Sequence, residues 1–408
     1  MRIGLLAYHS ACNFGATLQL LSTYKYLEKA GHNPLVINWI PLDLEAFYKK
    51  RTPKEQFINQ QELRKIIWEE TPICRTDEEI ATVINKLGID AVIIGSDAVA
   101  QHHPWQERLI FPTRRLFSII KYTSDRMFPN PYWGTFNNNL KQSVPTAVIS
   151  ASCQDSAYKF IPRSIRKIMT ESLSHHSYYS VRDTWTQEMI SSITKGKITP
   201  DITPDPVFAF NYNASEITPS RKEITERYQL PEKYLLLSFF KTSHVTSEWI
   251  TSFCNSAHLH GYKCIVLPFS MQNAFGVADQ TIKLPLSPLE WYALIKYSSG
   301  YVGNNMHPIV VSIHNEVPFY SFDNYGIKHL RGHITSDKSS KIRHLLTLAG
   351  FESSRVSCIS NKFTPPSPEL VLNHINNFDK AKAHKFAEAY YTLYTSMMKT
   401  VLSQLATS

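Results

Sequence analysis

The chain lacks every short cysteine pairing that would signal metal binding or disulfides. Its six cysteines (Cys12, Cys74, Cys153, Cys254, Cys264 and Cys358) are scattered, with no C-x-x-C spacing. That pattern argues against a zinc site or a disulfide framework and fits a reducing cytoplasm. His9, His102 and His103 have no carboxylate or cysteine partners at ligand spacing, so no metal is expected. No apolar run approaches the length of a membrane span. The first residues read as a strand, without a basic n-region or a cleavage site, so the expected location is cytoplasmic. There is no G-x-G-x-x-G, no P-loop and no G-x-S-x-G, which removes three common nucleotide-binding and hydrolase signatures. Nor is there an internal repeat or a low-complexity tract. The net charge of +9 comes from dispersed lysines and arginines, not a dense run. It excludes a nucleic-acid groove as the first reading and leaves a phosphorylated small molecule or an anionic membrane surface.

What is present is alternation. Hydrophobic residues make up 43% of 408 positions, enough for more than one core. Apolar runs that read as strands fall at 3–8, 34–40, 91–94, 146–149 and 177–181, then at 234–240, 263–268, 300–303 and 318–322. Helix-like stretches separate them. This is the pattern of an α/β protein with two parallel sheets facing across a cleft. The expected division is a first domain over 1–205 carrying an aromatic and basic insertion at 101–141, a second over 206–365, and a C-terminal segment over 366–408. The change falls at Thr203-Pro204-Asp205-Pro206, a proline-punctuated crossing. Between Phe378 and Leu405, Phe386, Tyr390, Leu393, Tyr394, Met397, Val401 and Leu405 recur at helical spacing. They predict one long helix packed back on the domains.

In such sheets ligands bind beyond the carboxyl ends of the strands. The first strand is followed by Cys12-Asn13-Phe14-Gly15 and a helix carrying Leu18, Leu21, Tyr24 and Leu27. The third ends at Gly95-Ser96-Asp97, the fourth at Ser150-Ala151-Ser152, the fifth at Arg182-Asp183. In the second half the strand 300–303 ends at Asn304-Asn305-Met306-His307-Pro308. Asp97 can serve as a base, bind a sugar hydroxyl, or simply cap a helix. Arg182 can clamp a carboxylate or phosphate, or pair structurally with Asp183 or Asp205. Pro308 favours the first helical position, which makes His307 the expected N-cap of a helix at 308–315. A histidine there can donate a proton once an anion occupies the helix start.

Taken in order, Asn13-Phe14-Gly15-Ala16 with Leu18-Gln19, Gly95-Ser96-Asp97, Ser150-Ala151-Ser152, Ser180-Val181-Arg182-Asp183, Asp205-Pro206, Ser287-Pro288-Leu289-Glu290-Trp291, His307 and Pro318-Phe319 resemble the polysaccharide pyruvyl transferase family. The resemblance spans residue 1 to about residue 360. It implies a GT-B-like fold of two Rossmann-like domains. It also implies transfer of the pyruvyl group of phosphoenolpyruvate onto two hydroxyls of one sugar, giving a cyclic ketal and phosphate, with no cofactor. Arg182 and His307 match the family's donor-binding and catalytic positions, with Asn305 beside them. Lys328 or Arg331 is the expected further cation on the donor. Asp97 is the expected base. Asn13, Phe14, Gly15, Gln19, Ser96, Asp97 and Ser152 are the expected acceptor wall. The acceptor implied is a sugar or lipid-linked oligosaccharide of a capsule or exopolysaccharide precursor. Peripheral contact with the inner face of the membrane would come through Arg114, Arg115, Phe117, Ile119, Ile120 and Lys121 in the insertion. Four positions depart from the family pattern. Ala98 and Ala100 replace a polar and an aromatic residue, Asn305 replaces a serine, and Pro308 a glycine. A nucleotide-sugar glycosyltransferase and a non-catalytic glycan-binding relative are the competing expectations.

Overall fold

A computed structural model describes residues 1–113, 116–240, 245–325, 337–358 and 363–407. The first sheet contains β1 (Arg2–Leu6), β2 (Asn33–Val36), β3 (Ala91–Asp97), β6 (Thr146–Ala151), β7 (Tyr178–Val181) and β8 (Asp201–Ile202). Between its third and fourth members, β4 (Leu109–Thr113) and β5 (Leu116–Ile119) form a separate antiparallel hairpin. The second sheet contains β9 (Tyr234–Ser238), β10 (Lys263–Val266), β11 (Gln280–Thr281), β12 (Gly300–Gly303), β13 (Phe319–Asp323) and β14 (Arg355–Ser357). Both six-stranded sheets are parallel throughout, in the orders β2-β1-β3-β6-β7-β8 and β11-β10-β9-β12-β13-β14. Their central strands are apolar on both faces because helices cover both faces, as the unbroken burial of Ala91–Asp97 shows.

The second order is that of a Rossmann sheet, and each sheet reverses direction next to its first strand. The crevices at those reversals lie beyond β1/β3 and β9/β12. They receive the turn at Asn13, Asp97, and the segment after Gly303.

The helix Phe14–Lys29 is wedged between these halves. Asn13 caps it, its side chain accepting from Ala16 N at 3.3 Å. One side covers the first sheet, and the other meets the helix Pro288–Lys296, where the rings of Phe14 and Trp291 meet at a tilt, 5.5 Å apart. Its middle is buried all round for that reason.

The predicted C-terminal helix runs from Lys380 to Thr407. It reaches both sheets. Tyr394 meets Tyr26 edge-on at 5.6 Å, and Met397 Sδ lies 3.7 Å from the hydroxyls of Ser150 and Ser180 in the first half. Phe386 and Tyr390 pack on Phe208 at 5.8 and 5.0 Å.

Within the 101–141 stretch, Phe128, Tyr132, Trp133 and Phe136 are buried in the core of the first sheet. The hairpin has a different character, as Trp105 at its base and Ile119 on its second strand are 60% and 53% exposed. Arg114 and Arg115 lie outside the described residues, and the Phe117 side chain is likewise not described.

Candidate active site

A cleft of about 440 Å³ opens between the two sheets. On the first side it is lined by Cys12, Asn13, Phe14, Gly15, Tyr48, Arg51, Asp97, Arg126 and Gln154. On the second side it is lined by Ser238, Phe240, residues 268–272, Trp291, Asn305, His307, Pro308, Tyr325 and Lys341.

His307 enters this cleft on the helix Met306–His314. That helix begins two residues before the expected start, with Asn305 as its N-cap, so His307 lies inside the first turn. Pro308 is tolerated in that turn because its missing N–H would have no partner there in any case. The imidazole crosses to the other half of the molecule and lies against Gly15. A Cβ built on Gly15 would fall 2.1, 2.2 and 2.4 Å from the Cγ, Nδ1 and Cδ2 of His307. Gly15 is therefore a glycine for space. Its φ is not positive, and it sits in the helix, not in a left-handed turn.

Beneath the imidazole lies a buried ionic group. Arg182 donates from one terminal nitrogen to Asp97 Oδ1 at 2.6 Å and from the other to Asp205 Oδ2 at 2.9 Å. Gln19 Nε2 donates to the same Asp205 oxygen at 2.6 Å, and Asp205 Oδ1 accepts from Val207 N. His307 Nε2 stands 4.0 Å from Asp205 Oδ2 and, among the described residues, has no hydrogen-bond partner, nor does Arg182 Nε. Arg182 is 5% exposed and does not line the cleft. Its fork is thus committed to two carboxylates, the structural pairing with Asp205 extended by Asp97. Removing it would leave two buried carboxylates without their cation, a loss on the order of 3–5 kcal/mol.

These charges set the proton affinities. Burial raises the carboxyl of Asp97, but Arg182, Lys341 and His307 outweigh it and hold the group at about 2. Burial pushes the His307 imidazole below its usual value, with Arg182 and Lys341 acting the same way against Asp97 and Asp205. At neutral pH it is an uncharged imidazole facing the cleft. Asp97 also carries a positive φ of 77°, and Ser150 one of 46°, at the ends of neighbouring strands. Non-glycine residues held in this region cluster at functional sites.

The remaining expected residues divide clearly. Asn13, Phe14, Gly15, Asp97 and Asn305 line the cleft. Gln19, Ser96 and Ser152 are buried below it. Gln19 supports Asp205, and Ser152 donates to Asp183 Oδ2 at 2.9 Å while accepting from Gln154 N. Lys328 and Arg331 lie outside the described residues.

Sequence reasoning did not single out Lys341. It is 4% exposed, begins the helix Lys341–Ala349, and its ammonium stands 5.1 Å from the ring centre of Tyr325. Burial pushes it down to about 8, aided by Arg182 and opposed by Asp97, Asp183 and Asp205. The available signal was periodicity: Lys341 shares the helical stripe of Leu345 and Ala349, both buried, so a charge stands where an apolar residue is expected.

Residues 13–325 match the polysaccharide pyruvyl transferase family. The chain belongs to that family. It is a transferase by that membership. A comparison with curated proteins gives no match. Among solved structures, the chain resembles Phytolacca americana UGT2 complexed with UDP-2fluoro-glucose and pterostilbene, with 9% identity, 99% of each chain covered and a TM-score of 0.51. It also resembles a ugt transferase from Siraitia grosvenorii in complex with UDP, at 10% identity, 99% coverage of each chain and a TM-score of 0.50. A third is UDP-GlcNAc 2-epimerase from Neisseria meningitidis bound to UDP-GlcNAc, at 11% identity, 99% of this chain and 100% of the other, and a TM-score of 0.50. At such identities the likeness shows the fold, which is GT-B-like. Among the described residues of this pyruvyl transferase family member, no helix is long and apolar enough to cross a membrane.

Proposed function

We propose that the cleft transfers the pyruvyl group of phosphoenolpyruvate onto two hydroxyls of one sugar in a capsular or exopolysaccharide precursor. The observation that carries this is the placement of His307, an imidazole with an unpartnered nitrogen, between the Gly15 turn and a buried Asp97–Arg182–Asp205 group, with Lys341 lining the same cleft.

The donor brings a phosphate and a carboxylate. Lys341, His307 and the first-turn amides of the Met306–His314 helix supply positive potential for them. The phosphate raises the proton affinity of His307, so the imidazole becomes a cation only when donor is bound. It then protonates the methylene carbon C3. A sugar hydroxyl adds at C2, the C2–O bond to phosphate breaks, and the second hydroxyl closes the ring. One hydroxyl proton restores the imidazolium and the other leaves with phosphate. Asp97, with a low proton affinity, orients an incoming hydroxyl as an acceptor. Arg182 holds the two carboxylates in place and keeps Asp97 ionised. The reading needs no cofactor.

The acceptor is read as lipid-linked, presented at the inner, cytoplasmic face of the membrane. Support comes from the hairpin of β4 and β5, which belongs to neither sheet, carries the exposed Ile119 and follows the exposed Trp105. Flotation with anionic vesicles tests this. Equal recovery with and without residues 109–119 would end the membrane assignment.

The chemistry itself is tested by incubating the protein with phosphoenolpyruvate and candidate glycans. The expected result is phosphate release with a product heavier by one pyruvyl ketal, and loss of both by at least about 100-fold in His307→Ala with an unchanged unfolding curve. Turnover of a nucleotide sugar in place of phosphoenolpyruvate would favour the glycosyltransferase reading. Silence with both would favour a glycan-binding relative.

A further inference from the structure

Two guanidinium groups on the first side of the cleft have no role in the scheme above. Arg51 ends the helix Leu42–Arg51, and Arg126 ends a turn at Ser124–Arg126. Both line the cleft. Both lean on one ring, Phe47, with their guanidinium carbons 4.5 and 5.9 Å from its centre. Two permanent like charges are therefore brought to one aromatic ring, an arrangement that an added anion would stabilise.

Among the described residues, the one ion pair made by either arginine is the loose one of Arg126 with its sequence neighbour. Arg51 makes no ion pair there. The nearest carboxylate to Arg126 is its neighbour Asp125, whose Oδ2 stands 3.9 Å from Nε, beyond hydrogen-bonding reach. Arg126 Nε is buried without a partner. Burial raises the Asp125 carboxyl and outweighs the lowering by Thr123 and Arg126. The contrast with Arg182 is direct, since both of its terminal nitrogens are occupied. One arginine is held for structure, whereas the pair at Phe47 presents unused forks to the cleft.

We propose that Arg51 and Arg126 form an anion subsite for the acceptor, so that the accepted sugar carries a phosphate ester or diphosphate. The assignment to the acceptor rests on the pyruvyl-transfer reading, which gives the donor to His307 and Lys341 on the opposite side of the cleft. Planar forks pair bidentately with phosphate oxygens, and both arginines lie within cation–π range of Phe47. The shared chemistry is a phosphorylated glycosyl group. A glycosyl diphosphate and a sugar phosphate monoester both satisfy it, and a neutral glycan does not.

The test uses the full chain and the double variant Arg51→Gln/Arg126→Gln. Binding of inorganic pyrophosphate, a glycosyl diphosphate and a sugar monophosphate is measured by calorimetry at low salt, and phosphate release from phosphoenolpyruvate is followed separately. The double variant is expected to lose roughly tenfold or more in affinity for pyrophosphate and for whichever sugar phosphate binds better. That binding should also weaken as salt rises. In turnover, KM for the phosphorylated acceptor should rise by a similar factor while KM for phosphoenolpyruvate stays within about twofold of the original. Unchanged pyrophosphate binding in a folded double variant would overturn the subsite. A rise confined to KM for phosphoenolpyruvate would also overturn it, moving the arginines to the donor. Arginine-dependent binding of the glycosyl phosphate without any phosphate release would uphold the subsite and instead remove the pyruvyl-transfer reading.

Discussion

Gly15 makes room for the ring of His307, which reaches it from the other half of the molecule. In the sequence it stands between the first strand and the helix that carries Leu18. In the structure it lies in the first turn of a helix, and its missing side chain is occupied by the ring of His307. Helix propensity alone would make Gly15→Ala stabilising by about 1 kcal/mol. The contact at 2.1 Å reverses that expectation, because the imidazole or the helix must move. The variant should lose about 1–3 kcal/mol of stability by denaturant titration. It should lose roughly 100-fold in kcat, since displacements near 1 Å carry such penalties. Equal activity would show that His307 can work from another position.

At the scale of an element, the helix Lys341–Ala349 sets a charge at a buried position. Its buried stripe begins with a lysine that lines the cleft. Burial lowers this group to about 8, so it is charged below that pH and increasingly neutral above it. A charged lysine is what an anionic donor requires. KM for phosphoenolpyruvate should therefore be flat towards neutral pH and rise as the pH passes about 8. Lys341→Gln should show a KM raised by roughly tenfold or more at neutral pH and no such upturn. A steady-state profile between pH 6 and pH 10 decides it, and an upturn that persists in the variant would assign the titration to another group. The helix that carries His307 was also visible in the sequence, but its start was placed two residues late. Proline at the first position is a strong statistical preference, yet a first-turn proline at the third position violates no hydrogen bond either.

At the scale of the molecule, the site exists only because the two sheets are held together. His307 comes from one, Gly15 and Asp97 from the other, and the helix Lys380–Thr407 ties both through Tyr394, Met397 and Phe386. A ligand that fills this cleft stabilises the whole chain in proportion to its occupancy. At about 100 times its dissociation constant, phosphoenolpyruvate should add about 2.7 kcal/mol, read as an upward shift in Tm by scanning calorimetry. UDP, named in the complex of the Siraitia grosvenorii structure, serves as the comparison. A larger shift with UDP than with phosphoenolpyruvate would transfer the site to nucleotide-sugar chemistry.

The amino-acid sequence by itself determined the periodic alternation, the two parallel sheets, the long terminal helix and the strand ends where chemistry collects. Those features follow from local pattern: which residues are apolar, at what spacing, and what interrupts them. It also brought Asp97, Arg182, Asn13 and His307 to notice, because each follows a strand at a predictable place. Only the tertiary structure decided what those residues face. Arg182 is closed off by Asp97 and Asp205, which are 85 and 23 residues away in the chain. Gln19 and Ser152 turned inward to support buried carboxylates. Lys341, Arg51 and Arg126 reached the cleft from elements that carried no motif. Partnering of charges is set by long-range proximity and burial, and neither quantity is written in the spacing of residues along the chain.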